Sequence, residues 1–282
     1  MSAAAETFGR AAEACRDAPS RRGNVVHLAG ELDVLVSGDI HGHLKNLAKI
    51  ISHADLGSHP NRRLILQELI HGDISVETGR ENSINALLRA ARLKVTRPEQ
   101  VHFVLGNHDI AQITGNEITK SAGGLCEAFE RGVRHAFGDE ADEVLSAVRD
   151  FLLSLPLAIR FDGGTWVTHS LPRIRGDAEP DLSVLDRPYR DEDFRRHGPA
   201  YDWTWGRGQT PEDVERLRER LGAGFFVLGH LHVEAGIEAI GERAVTLASD
   251  TTQGRVLPFR AAEPLDAPTA LAAARRVGGL GA

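Results

Sequence analysis

Five short apolar runs in this chain break off in the same manner, each passing from β-branched, aromatic or leucine residues into oxygen and imidazole side chains. DVLVSGDIHGH ends on Asp39 and His41, RRLILQELIHGD on Asp73, VHFVLGNHD on Asn107, His108 and Asp109, TWVTHS on His169, and FFVLGHLH on His230 and His232. Such runs, bounded by glycine and polar residues, read as strands, with Gln67 and Glu68 weakening the second of them. Between them, HLKNLAKIISHA and ENSINALLRAARLK space their apolar residues as helices do, and a mainly helical stretch extends from 110 to 155. Strand, loop and helix therefore alternate, the mark of an α/β fold, and no repeat of fixed period explains the alternation. In open α/β sheets, ligands collect in the crevice outside the carboxyl ends of the strands. Five polar clusters at five such ends can converge on one site. Alone, Gly72 and Asp73 read as a turn, because glycine tolerates unusual backbone angles and aspartate bonds its own backbone. Four other strand ends with compatible donors make Asp73 a candidate ligand instead.

A chain of 282 residues accommodates one α/β domain of roughly 250 residues with decorations. The sequence divides into an N-terminal extension over 1–23, a domain over 24–260 and a C-terminal tail over 261–282. The extension reads as a short Ala-rich helix with a polar connector, and the tail fits either a loosely docked helix or disorder. Within the domain, 170–210 is a loop-rich excursion, and loops of that length are usually functional or mobile. PEDVERLRERLG follows as a helix with Thr210 as its N-cap and Pro211 at its first position. A formal charge of −7 with no long run of either sign predicts no general affinity for nucleic acid or for an anionic membrane. No segment has the apolar core of a signal peptide or the length of a membrane span, so a cytoplasmic location is expected. Cys15 and Cys126 are too few for a disulfide framework and lack zinc or redox spacing. Nothing in these features specifies an oligomeric state.

Imidazole and carboxylate donors without thiolate suit manganese, iron or zinc outside a structural zinc site. Asp39, His41, Asp73, Asn107, His169, His230 and His232 exceed what one tetrahedral ion takes. Two ions about 4 Å apart that share a carboxylate would use them all, because the negative bridge offsets repulsion between the cations.

GDIHGH, GD at 72–73, GNHD at 106–109, THS at 168–170 and GHLH at 229–232 resemble the ordered motifs of calcineurin-like metallophosphoesterases. The resemblance covers roughly residues 32–250, and FLLSLPLAIRFDGGTWVTHSLP is similar to the corresponding stretch of the serine/threonine phosphoprotein phosphatase branch. It implies a four-layer α/β/β/α sandwich, two mixed sheets flanked by helices. By position, it also implies that Asp39, His41 and His232 bind one divalent ion, that Asn107, His169 and His230 bind a second, and that Asp73 bridges them. The implied activity is hydrolysis of a phosphomonoester, on a phosphorylated protein or a small phosphoester, by in-line attack of a metal-activated hydroxide. His108 would protonate the leaving oxygen, with Asp109 holding its imidazole in the donating orientation. Two other readings stand beside this one: a dinucleoside polyphosphate hydrolase or phosphodiesterase whose Trp203 and Trp205 stack a base, and an inactive binding module. The complete donor set argues against the latter.

The second motif departs from the family pattern GDxxDRG, since Glu77 stands where its arginine would fall and Arg80 follows three residues later. Leu105, in place of the usual arginine, precedes GNHD. The phosphate-binding guanidinium is therefore sought at Arg80 or at Arg207 in DWTWGRG, because a guanidinium offers the bidentate contact that a phosphoryl group favours. His43 and His71, beside the first two motifs, are candidates to support ligands through hydrogen bonds. His102 and the remaining histidines read as ordinary surface or core residues.

Overall fold

All five apolar runs form strands in the computed structural model, which describes residues 2–116, 118–120, 123–174 and 179–280: Asp33–Asp39, Arg62–Gln67, Val101–Val104, Thr165–Thr168 and Phe225–Leu228. Parts of the expected helical stretch 110–155 (117 and 121–122), of the 170–210 excursion (175–178) and of the tail (281–282) lie outside the described residues.

The strands form two large mixed sheets. One runs in the order Arg21–Arg22, Val25–Leu28, Ala158–Phe161, Thr165–Thr168, Phe225–Leu228, Ala244–Leu247, Ile237–Ile240. The other runs Arg275–Arg276, Arg255–Arg260, Asp33–Asp39, Arg62–Gln67, Val101–Val104. Asp33–Asp39, Arg62–Gln67 and Val101–Val104 are mutually parallel, and Phe225–Leu228 is parallel to both Thr165–Thr168 and Ala244–Leu247. Parallel neighbours bring their carboxyl ends to one edge, and the candidate donors follow those ends.

Alternation along the strands separates two apolar layers. Val34, Val36, Ile65, Val104 and Leu257 of one sheet meet Ile159, Val167, Phe225, Val227 and Val245 of the other in a buried layer between the sheets. The intervening residues, among them Leu35, Leu64, Leu66, Phe103, Trp166 and Phe226, face the other way and join the helices in a second cluster. Burying a Val, Leu or Phe contributes about 1.5–3 kcal/mol, so both faces of both sheets are held by apolar contact. The result is the α/β/β/α sandwich of two mixed sheets that the sequence resemblance implied.

Both termini join this core. In the helix Ala3–Arg16, Phe8 is fully buried and packs its ring against Phe151, 5.8 Å between centroids. In the tail, the helix Ala267–Ala273 is capped by Asp266, whose Oδ1 accepts the Thr269 N–H at 2.8 Å, and Val277 and Leu280 are buried. Of the two options left open for the tail, the docked helix is the observed one. Thr210 and Asp213 exchange capping hydrogen bonds at the start of Pro211–Leu221, as expected for that helix. Among the described residues, no helix is long and apolar enough to cross a membrane.

Second in the strand Val101–Val104, His102 is buried, with its Nε2–H donating to the Glu99 carbonyl at 3.0 Å. Burial, reinforced by the Lys94 charge, pushes its imidazole down to about 3. An unfolded histidine titrates near 6.5, so between these values the unfolded chain binds a proton that the folded chain refuses. Stability therefore falls as pH falls through this window, by about 2 kcal/mol between pH 6.5 and 5 from this residue. His102→Gln is expected to flatten the pH dependence of urea unfolding by that amount. Parallel pH profiles for variant and wild type would refute it.

Candidate metal centre

Asp39 is the last residue of Asp33–Asp39 and is buried. Its Oδ2 accepts the His230 N–H at 2.8 Å, and its Oδ1 lies 3.5 Å from His169 Nδ1. The strand register pairs Asp39 with Gln67, so the residue after Gln67 emerges beside the Asp39 carboxylate. That residue is Glu68, 3% exposed. Glu68 Oε1 accepts the His108 N–H at 2.7 Å, while Oε2 lies 3.4 Å from His169 Nε2 and 3.9 Å from His41 Nε2. Asn107 Oδ1 completes the cluster, 2.9 Å from His169 Nε2 and 2.8 Å from His230 Nδ1.

Two groups of potential donors result: His41, Glu68 and His108 form one, and Asp39, Glu68 and His169 the other, with the donor atoms in each lying within 4.8 Å of one another. Glu68 belongs to both. Asp73, expected to bridge, is exposed and lies outside both groups; it lines a cavity of about 250 Å³ together with His41 and Asp250. The physical reason is register: the position beside the Asp39 carboxylate lies one residue past the strand end, and Asp73 falls five residues further along the chain. Glu68 was legible only as a charge that weakened an apolar run. The signal for it in the sequence is an acidic residue directly after a buried strand.

His232 is likewise exposed and outside these groups. Simple alternation would turn His230 and His232 to the same side. The chain instead turns sharply, with the Leu231 N–H on the Gly229 carbonyl at 2.8 Å and His230 at φ 71°, so only His230 reaches the cluster.

Positive φ recurs here. Of the non-glycine residues described with φ in the left-handed region, His41 (42°), Glu68 (39°), His71 (63°) and His230 (71°) all sit at or beside the cluster. Each such conformation costs on the order of 1–3 kcal/mol and persists where the surroundings over-determine it, commonly at functional sites. Close packing surrounds the carboxylates too. A Cβ on Gly106 would stand 2.3 Å from Glu68 Oε1, and one on Gly229 would stand 2.4 Å from Asp39 Oδ1.

The donor chemistry matches a divalent cation. Asp39 Oδ1, His169 Nδ1 and His230 Nε2 are buried without a hydrogen-bond partner, a state that costs about 1–3 kcal/mol per group unless something else satisfies it. Burial pushes the Asp39 carboxyl well up, helped by the neighbouring Asp250 charge, and burial with Asp39 beside it does the same to Glu68. Burial pushes the His230 imidazole down to about 3, with Arg207 adding to the effect, and lowers His169 well below its ordinary value. Neutral imidazoles with open lone pairs beside crowded carboxyls are what a first-row divalent ion stabilises.

His108 is buried next to Asn107 on the helix Asn107–Thr114, and its ring faces that of His41 at 4.8 Å between centroids. Asp109, expected to orient it, closes the start of its own helix, where its Oδ2 accepts the Gly106 N–H at 2.8 Å. Burial pushes the Asp109 carboxyl up to about 7. The Nδ1 of His71 lies 3.0 Å from His108 Nδ1.

The DWTWGRG segment is anchored to the residues on either side of His169. Trp203 is fully buried and its Nε1–H donates to Thr168 Oγ1 at 2.7 Å, Ser170 Oγ donates to the Gly206 carbonyl at 2.7 Å, and Trp205 stacks on Tyr201 at 5.3 Å. This anchoring carries Arg207, whose charge bears on Asp39, Glu68, His169 and His230. Arg80 sits in the loop after Asp73, where its carbonyl accepts the Ser75 N–H at 2.9 Å. His43 caps the helix Leu44–Ala54 by accepting the Asn46 N–H at 3.2 Å.

Comparison with known proteins matches residues 32–234 to the calcineurin-like phosphoesterase family. Among curated relatives, the chain is 25% identical over 203 residues to a probable serine/threonine-protein phosphatase of Encephalitozoon cuniculi, covering 72% of this chain and 39% of that one. It is 27% identical over 206 residues to the serine/threonine-protein phosphatase PP2A-like PPG1 of Candida albicans, covering 72% and 43%. The chain thus spans about two fifths of the length of these relatives. Its fold resembles that of a Saccharomyces cerevisiae protein serine/threonine phosphatase with similarity to human phosphatase PP5, with a TM-score of 0.65 at 15% identity over 90% of this chain and 81% of that one. It also resembles the cold-active protein-tyrosine phosphatase of a Shewanella species, with a TM-score of 0.57 at 12% identity over 94% and 84%.

Proposed function

Because the chain belongs to the calcineurin-like phosphoesterase family, a metal-dependent family, we propose that it is a dinuclear phosphomonoesterase of the serine/threonine phosphatase type. The observation that carries this reading is the presence of Glu68 in both donor groups. A carboxylate shared by two sets of donors is what a pair of cations requires. In this reading Asp39, taken from the second group, joins His41 and Glu68 around one ion, Asn107, His169 and His230 hold the other against the same Glu68, and His108 of the first group is kept for proton transfer. Asp73 and His232, being exposed, are left out of the ligand set. Manganese, iron and zinc all suit these donors.

Two such ions, when bound, supply a nucleophile at neutral pH and neutralise charge developing on the phosphoryl oxygens. The chain's own residues supply the rest. His108, beside the cluster and held from behind by His71, gives its Nε2 proton to the departing oxygen. Arg207 follows the anchored Trp203 segment, and its guanidinium would take two phosphoryl oxygens at once. Trp203, fully buried and engaged with Thr168, is not available to stack a base, which favours a phosphomonoester over a dinucleoside polyphosphate. The names of the two curated relatives favour phosphoserine or phosphothreonine.

The test is a substrate panel run on apoprotein reconstituted with manganese, iron or zinc. Turnover of a phosphoserine peptide and of 4-nitrophenyl phosphate is expected with at least one metal, with little or none of a dinucleoside tetraphosphate. A protein that hydrolyses no phosphoester with any of the three metals is not the enzyme proposed.

A further inference from the structure

We infer that His71, backed by Gln112, is a positioning residue that fixes which nitrogen of His108 carries the transferable proton. The inference rests on the phosphoesterase reading for its catalytic meaning, but not for its geometry. His71 is fully buried; its Nδ1 stands 3.0 Å from His108 Nδ1, and its Nε2 stands 2.9 Å from Gln112 Oε1. His108 and Gln112 both lie on Asn107–Thr114, four residues apart, so they share a helix face. One imidazole spans the two of them.

The hydrogen-bond inventory then sets the order of protons. Gln112 Oε1 can only accept, so His71 Nε2 must carry a hydrogen. While His71 is neutral its Nδ1 is the acceptor, and the contact between the two Nδ1 atoms then places the hydrogen on His108. His108 then carries Nδ1–H, and in the phosphoesterase reading Nε2 is the nitrogen that exchanges the proton. When the bond from phosphorus to the leaving oxygen breaks, that oxygen takes the Nε2 proton and the electron pair remaining on Nε2 is later protonated by solvent. The Nδ1–H tautomer left behind is the one His71 already accepts, so no rearrangement follows the transfer.

His71 is itself held rigidly. It adopts φ 63°, its N–H donates to Ser83 Oγ at 3.1 Å, and Ser83 in turn donates its N–H and Oγ–H to the buried Glu81 carboxylate at 2.6 and 2.7 Å. Phe129 closes the remaining side, edge to face at 6.0 Å. A strained backbone, a buried ring and a dedicated anchor are more than packing alone calls for.

Two measurements decide the matter. In the metal-free protein, long-range nitrogen–proton correlation spectra should show His108 as the Nδ1–H tautomer, shifting to a mixture in Gln112→Leu. In the reconstituted enzyme, His71→Phe and Gln112→Leu should each lower kcat on an alkyl phosphate by about tenfold, part of the ~10²–10⁴ available from general acid catalysis. Turnover of 4-nitrophenyl phosphate, whose leaving group needs no proton, should fall less than about twofold, and Gln112→Glu should preserve the wild-type ratio. Equal losses on both substrates, or a wild-type His108 carrying its hydrogen on Nε2, would overturn the inference. A wild type that turns over neither substrate would instead defeat the phosphoesterase reading, and the spectra would still decide the tautomer.

Discussion

Glu68→Gln is expected to strip the centre of bound metal and lower turnover by about 10³-fold or more, whereas Asp73→Asn leaves metal content and turnover close to wild type. The magnitude follows from charge. Metal ions contribute several kcal/mol of stabilisation to a developing phosphoryl charge, and each 1.36 kcal/mol is about tenfold in rate. Glu68 is the residue that both donor groups share, so a neutral amide there weakens both sites together. Asp73 is exposed and outside those groups, so its neutralisation removes only a rim charge. Metal content by elemental analysis, read beside kcat for both variants, separates the alternatives. If Asp73→Asn empties the centre while Glu68→Gln keeps it, the ligand assignment made from sequence position is right and the one made from burial is wrong.

Gly106→Ala is expected to weaken metal binding by about 10–100-fold, the range seen when the groups that support ligands are disturbed. The methyl carbon would stand 2.3 Å from Glu68 Oε1, 2.9 Å from its Cδ and 3.4 Å from Asp109 Oδ2. The carboxylate cannot simply swing away, because the same Oε1 accepts the His108 N–H at 2.7 Å. Either Glu68 leaves its place or the start of Asn107–Thr114 moves, and that start carries Asn107 and His108. Gly9→Ala is the control, since a Cβ there meets nothing within 4 Å. Competition titration with a chromogenic chelator reads the affinity, and circular dichroism checks the fold. Equal affinities for Gly106→Ala and Gly9→Ala would show that the Glu68 position carries no metal.

The parts of this centre that the sequence disclosed are those set by local pattern. Apolar runs gave the strands, and strand ends gave Asp39, His41, Asn107, His169 and His230, because a donor immediately after a buried strand has few places to go. The places where the structure departs from these expectations share an origin in reading motif letters in place of register. Asp73 follows a glycine as Asp39, Asn107 and His230 do, but Glu68 stands one residue past the end of the strand that lies beside Asp39. His232 follows His230 by two residues, yet the turn over Gly229–Leu231 cancels the alternation. Asp109 follows His108 directly, but adjacent helical residues point apart, and its carboxylate caps the helix. The left-handed backbone at His41, Glu68, His71 and His230 is imposed by tertiary contacts and leaves no mark in a single sequence.

The donors do not come from one sheet. Asp39, Glu68 and Asn107 follow strands of one, and His169 and His230 follow strands of the other. Their contacts, such as the His230 N–H on Asp39 and Asn107 Oδ1 against His169 Nε2, cross the seam between them. Any slip of one sheet over the other changes the spacing of all these pairs at once. The dry layer of Val36, Ile65, Val167 and Val227 is therefore the ruler that sets the gauge of the centre. Side chains buried between the sheets thus help to set the spacing among the candidate donors.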